Sequence, residues 1–177
     1  MKNVLIISSS PRKDGNSERL CQEFMKGARE SGNQVELVCL RDKKIGYCVA
    51  CYACTELGHC FQDAAMNELA EKLERADVIV LATPVYFYSM SGQLKVFIAR
   101  LVPNYTKIHA DIYLFCTAWD PETANLEPTL EAIRGCTRDC FEECEEKGAL
   151  AVGGVSEVGA IEGRGELRQA YEMGRSC

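Results

Sequence analysis

Short apolar runs and longer amphipathic stretches alternate five times along this chain, and that alternation limits what it can fold into. Lys2–Ser8 (KNVLIIS), Asp77–Thr83 (DVIVLAT) and Asp111–Thr117 (DIYLFCT) are near-continuous apolar runs, the pattern of strands buried on both faces. Gln34–Leu40, with Val35, Leu37 and Cys39 alternating, and Ala149–Val155 (ALAVGGV) supply two more strands. Helices are predicted over Ser17–Glu30, Asp63–Arg75, Gln93–Leu101, Pro128–Lys147 and Gly165–Arg175. In the second of these, Met66, Leu69, Ala70 and Leu73 share one face. Parallel strands need crossovers of this length, so the pattern predicts a parallel sheet covered by helices on both sides, three layers in all.

Five strands match the doubly wound, flavodoxin-like order 2-1-3-4-5. No repeat or linker interrupts residues 1–177, which are expected to form a single domain. Ligands in such sheets bind beyond the carboxyl ends of the strands, at the switch point between strands 1 and 3. A net charge of −6 argues against nucleic acid or an anionic membrane as the main partner. The N-terminal apolar run is too short for a signal peptide, and no stretch approaches the ~20 apolar residues of a membrane helix. A cytoplasmic location is expected.

Three loops fall at the ligand end. Ser8–Ser17 (SSSPRKDGNS) offers hydroxyls, an amide and free backbone N–H groups at a helix start, the make-up of an anion site. Neither a Walker P-loop nor a GxGxxG fingerprint occurs. The loop Thr83–Ser89 carries three consecutive aromatics, suited either to walling in a planar ligand, with Thr83 on its polar edge, or to a core or interface patch. The third loop, Cys116–Asp120, holds the single tryptophan. A phosphate pocket beside an aromatic slot fits FMN.

The runs SSSPRKDGNS, TPVYFYSMSGQLKVFIAR and VGGVSEVGAIEGRGELRQAYEMG resemble, in this order, the NAD(P)H-dependent FMN reductase group of flavodoxin-like proteins. The block CVACYACTELGHC at 48–60 resembles that of the iron–sulfur flavoproteins. The resemblance implies that Ser10, Arg12, Asn16 and Ser17 hold the FMN phosphate. It implies that Pro84, Val85, Tyr86 and Phe87 line the isoalloxazine, and that Thr117, Ala118 and Trp119 complete the pocket. One departure is Ser9, where relatives often carry glycine; serine is tolerable there unless the backbone needs a positive φ.

The chain has eleven cysteines, an odd number, and no secretion signal, which argues against a disulfide scaffold. Cys48, Cys51 and Cys54 reproduce the triplet spacing of ferredoxin-type ligand loops, and Gly58 lets the chain turn so that Cys60 can supply a fourth ligand. Zinc, with His59 as a possible substitute ligand, and no metal at all remain open from spacing. The resemblance implies that Cys48, Cys51, Cys54 and Cys60 hold a 4Fe-4S cluster. The other cysteines are read as structural, Cys140 and Cys144 on the apolar face of the fourth long helix, Cys39 and Cys116 in strands, and Cys21 on a helix. Neither His59 nor His109 sits in a catalytic constellation, and no catalytic side chain is assigned.

These readings imply an oxidoreductase taking electrons from NAD(P)H, or from a ferredoxin, through FMN and the cluster to a small-molecule or protein acceptor. The resemblance implies a homodimer or homotetramer. A cluster-free FMN or quinone reductase and a non-enzymatic flavodoxin-type carrier are the alternatives.

Overall fold

A computed structural model describes residues 1–177. Its five strands are β1 (Asn3–Ser8), β2 (Gln34–Cys39), β3 (Val78–Pro84), β4 (Asp111–Thr117) and β5 (Glu145–Val152). The helices are α1 (Asn16–Glu30), α2 (Ala53–Leu57), α3 (Ala64–Glu74), α4 (Gly92–Ala99), α5 (Glu127–Thr137) and α6 (Gly165–Ser176). The strands pair in parallel in the order β2-β1-β3-β4-β5, the expected flavodoxin-like arrangement.

Alternate residues of the strands feed two separate cores. Leu5, Ile7, Ile79, Leu81, Ile112 and Leu114 face α3, α4 and α5, where Met66, Leu69, Phe97 and Ile133 meet them. Val4, Ile6, Val78, Val80, Tyr113 and Phe115 face α1 and α6. On that side Phe24 packs edge-on against Tyr113 and Phe115, with ring centroids 4.9 and 5.8 Å away. The period-2 alternation of each strand thus meets the period-3.6 stripes of helices on both faces.

Helices α1 and α6 cross at backbone contact. A Cβ added to Gly174 would lie 2.0 Å from the carbonyl oxygen of Phe24, and one added to Gly27 would lie 2.1 Å from that of Tyr171. Gly174→Ala should therefore force the helices apart and lower stability by about 1–3 kcal/mol. Gly135→Ala, in α5 with open space around it, should be neutral or slightly stabilising. Urea midpoints for the two variants check this; equal midpoints would show that α1 and α6 can part at no cost.

The structure corrects the expected fourth helix and fifth strand. The helix ends at Thr137, not near Lys147, and β5 starts at Glu145 instead of Ala149. Glu145–Lys147 are good helix formers, but here Glu145 and Glu146 pair with Asp111 and Ile112 on the sheet edge. Charged residues suit an exposed edge strand. Arg134 holds Glu146 at 2.7 Å, fastening the edge to α5. Cys140 consequently lies beyond the helix and is exposed. Cys144 packs beside β4, donating to the Ile108 carbonyl at 3.4 Å. No helix is long and apolar enough to cross a membrane.

Candidate functional site

The loop between β1 and α1 is held by side chains that were not assigned from sequence. Ser9 is fully buried; its amide and hydroxyl both donate to the Ala82 carbonyl at 2.9 Å, and its oxygen accepts from the Ser91 hydroxyl at 2.9 Å. Ser91 in turn caps α4 by accepting from Leu94 N–H. Ser9 thus ties β1, β3 and α4 together, and its backbone is not left-handed, so glycine is not required there. Glu18, buried in the first turn of α1, accepts from the Asp14 amide and forms a two-pronged pair with Arg41 from the segment after β2. This pair sets the shape of residues 12–16.

A cavity of about 200 Å³ opens at the carboxyl ends of β1, β3 and β4. Of the residues expected from sequence, Ser10, Arg12, Asn16, Ser17, Pro84, Val85, Tyr86, Thr117, Ala118 and Trp119 all line it. Phe87 does not: it is fully exposed, because Phe87 and Tyr88 are both left-handed (φ 50° and 59°) in the tight turn closed between Tyr86 and Ser89. Thr83 does not either. It is buried, accepting from Ser91 N–H and donating to the Pro84 carbonyl. Val155 and Ser156, beyond β5, join the wall without having been singled out. Their signal was the Gly153-Gly154 turn that swings the chain back over the strand ends.

The polar groups of this cavity divide into occupied and free. Asn16 donates to the Glu157 carbonyl at 2.9 Å and accepts from Ile161 N–H, so its amide holds the loop after β5. Arg12 reaches the same loop, donating to the Ser156 carbonyl at 2.7 Å. Ser10 is engaged with the backbone of Arg12. Ser17 differs: its hydroxyl is buried without any hydrogen-bond partner, on the second residue of α1. Gly15, just before the helix, makes no side-chain cap. A Cβ there would lie 2.4 Å from the Ser10 oxygen, so a side chain would crowd the floor of the cavity. An unpaired buried hydroxyl beside uncapped helix N–H groups fits an anion such as a phosphate. Tyr86 and Trp119, exposed aromatics that line the same cavity, fit a planar ring system.

A larger cleft, of about 390 Å³, lies at the amino ends of the strands, between Asn3–Leu5, Gln34–Glu36 and Lys72. Ligands of doubly wound sheets bind at the other end, and the free hydroxyl of Ser17 is there as well.

The cysteine loop forms a second cavity. Cys48, Cys51, Cys54 and Cys60 all line it, beside Arg100 and Phe61. Ala50 and Tyr52 are left-handed, and the Ala50 amide donates to Cys48 Sγ at 3.4 Å. Left-handed Gly58 ends α2 and turns the chain toward Cys60, as its place in the sequence predicted. The Asn67 side chain, on α3, clasps the backbone of Cys60 from both sides, accepting at 2.9 Å and donating at 2.7 Å. No three donors are gathered closely enough to grip a single metal ion. This second cavity abuts the end of α4, at Ala99 and Arg100.

Burial raises the thiol of Cys116 to about 12 and that of Cys21 well above its usual range. Cys48, Cys51 and Cys140 are exposed. In metal-free protein, an aromatic disulfide reagent should modify those three in a fast phase near neutral pH and reach Cys21 and Cys116 only after denaturation. Early modification of Cys116 by mass mapping would contradict this burial.

An iron-sulfur flavoprotein of Archaeoglobus fulgidus is 41% identical over 103 residues, covering 58% of this chain and 46% of its own. One from Methanocaldococcus jannaschii is 38% identical over 100 residues, 56% and 52% of the two chains. The chain thus spans about half the length of the curated relatives it matches. Among solved structures, an NAD(P)H:quinone oxidoreductase from Methanothermobacter marburgensis superposes with TM-score 0.76 at 18% identity, over 99% of this chain and 96% of that one. An azoreductase from Bacillus anthracis gives 0.76 at 14% identity over the whole of both chains. These two likenesses establish the shared fold. Residues 2–118, which hold β1 to β4, the cysteine loop and most of the first cavity, match the NADPH-dependent FMN reductase family, and the chain belongs to it.

Proposed function

We propose that this protein is an FMN-dependent NAD(P)H oxidoreductase whose cysteine loop carries a 4Fe-4S cluster, an electron-transferring iron–sulfur flavoprotein. The observation that carries the flavin half is the free, buried Ser17 hydroxyl at the start of α1, inside a cavity walled by Tyr86 and Trp119. Bound FMN supplies a two-electron acceptor that releases electrons singly, and the cluster a one-electron relay. Ser17 would donate to the phosphate, with the N-terminal amides of α1 around it. Ser10 and Arg12 would shape its rim, Arg12 adding positive charge. Asn16 would act by fixing the loop after β5. Pro84, Val85, Tyr86, Thr117, Ala118 and Trp119 would orient the ring system and exclude water from it; Phe87 would meet the ligand only if the turn that carries it closes. No acid or base on the protein is needed, because hydride transfer uses the cofactor's own chemistry.

Cys48, Cys51, Cys54 and Cys60 lining one cavity, with an amide directed at Cys48, supports the cluster. Exposed Tyr47, Tyr52, Phe61 and Tyr88 support a homodimer or homotetramer, and the acceptor is a small molecule or a protein in the cytoplasm.

Anaerobic purification tests both halves. FMN with about four irons and four sulfides per chain, and rapid oxidation of NADH or NADPH, is the expected result. FMN without iron would leave a cluster-free FMN or quinone reductase. Negligible turnover of both nucleotides with fast reduction by a ferredoxin would make the protein a carrier of the flavodoxin type.

A further inference from the structure

Arg100, the residue that follows α4, is a buried cation whose role the fold alone does not explain. Its side chain is only 3% exposed. Nη2 donates to Cys60 Sγ at 3.1 Å, while Nη1 donates to the Tyr47 carbonyl at 3.2 Å and to Gln62 Oε1 at 3.3 Å. Its one carboxylate neighbour, Asp63, stands at 3.7 Å, and Nε is buried with no partner. One guanidinium therefore grips both ends of the cysteine loop, the residue before Cys48 and the residues from Cys60 to Asp63.

The four sulfurs are not equivalent around it. Cys48 accepts only from a backbone amide and Cys51 lies 4.0 Å from the Gln62 amide nitrogen; neither has a charged partner. Cys60 alone receives a hydrogen bond from a cation, and its backbone is clasped by Asn67. Asp63 is ion-paired with Arg100 at 3.7 Å but makes no hydrogen bond to it, so the hydrogen bond from Nη2 goes to Cys60 Sγ. The bond from Arg100 to Cys60 Sγ comes from a buried cation, and hydrogen bonds with a charged donor are the strong ones, enlarged by burial.

We propose that Arg100 is a positioning residue that seats Cys60 as the fixed corner of the metal centre and raises the centre's reduction potential. The inference rests on the cluster reading above. One-electron reduction adds one negative charge to the iron–sulfur–thiolate unit, with the electron coming from dithionite in the experiment below. A buried cation donating to one ligand sulfur stabilises the reduced form more than the oxidised form.

The test is a dithionite titration, followed by electron paramagnetic resonance, of anaerobically purified wild type, Arg100→Gln and Arg100→Lys, with iron and sulfide counted in each. Arg100→Gln should disfavour reduction of the cluster about tenfold, which is about 59 mV lower for a one-electron couple. Arg100→Lys, which keeps charge but loses the fork, should fall in between. Should Arg100→Gln fail to fold, Arg100→Lys decides alone, a lowered potential supporting the proposal and a wild-type one overturning it. Variants that hold iron at the wild-type potential overturn this inference and leave the cluster reading intact. Loss of cluster in Arg100→Gln with an unmoved potential in Arg100→Lys reduces Arg100 to a structural part, and also overturns it. A wild-type protein without iron removes the cluster reading, and this inference with it.

Discussion

Serine at Cys48, Cys51, Cys54 or Cys60 should strip iron and sulfide from the protein and leave FMN at wild-type stoichiometry. The four thiols line a cavity that shares no residue with the one at the strand ends. A hydroxyl is a poor ligand for iron. Loss of even an outer partner costs roughly tenfold to a hundredfold in metal affinity, and loss of a direct ligand should cost at least that. Cys140→Ser, an exposed thiol outside the loop, is the control and should keep its iron. The readout is iron, sulfide and flavin per chain after anaerobic purification. Iron unchanged in all four loop variants would sink the ligand assignment, whatever the nucleotide turnover.

Gly15→Val should abolish FMN binding without unfolding the sheet. Even the first carbon of a side chain at Gly15 would stand 2.4 Å from the Ser10 oxygen and 3.2 Å from the Arg12 carbonyl. The two further methyls of valine need space that only the cavity or a displaced loop can supply. Either outcome deforms the phosphate end, so affinity should fall about a hundredfold or more, given that each factor of ten is only about 1.4 kcal/mol. Ser17→Ala is the finer probe. It removes one donor to a charged group, worth about 1.5–3 kcal/mol, or about tenfold to a hundredfold in affinity. Flavin fluorescence titrations of the apo-protein with FMN and with riboflavin separate the contributions. Ser17→Ala should weaken FMN while leaving riboflavin unaffected; equal losses for both would place the phosphate elsewhere.

Much of the first cavity was legible because its residues are local. Ser10, Arg12 and Ser17 follow β1, and Pro84, Val85 and Tyr86 follow β3, so naming the strands named the loops. What individual side chains do there was not legible. Asn16 and Ser17 are adjacent and equally polar, yet the Asn16 amide is occupied by residues 157 and 161, and Ser17 is left free. That difference depends on where a loop more than 140 positions away comes to rest. The family resemblance implied Phe87 in the cavity; two consecutive left-handed residues turn it out instead. Such a turn favours glycine or asparagine, and nothing about Phe-Tyr announces it.

By itself the sequence determined the βα alternation, the 2-1-3-4-5 sheet and the cluster-like spacing at 48–60. The alternation and the cysteine spacing are short-range patterns, a burial period and a ligand interval, and the strand order follows from matching five βα units to a doubly wound arrangement. The tertiary structure decided the rest. It turned the helix-favouring stretch at Glu145–Lys147 into an edge strand, because pairing with β4 outweighs a weak intrinsic propensity. It brought Arg100 to Cys60 across forty positions and buried its charge there. Those outcomes belong to crossovers that juxtapose distant segments, and a buried polar group takes its meaning from whichever segment arrives.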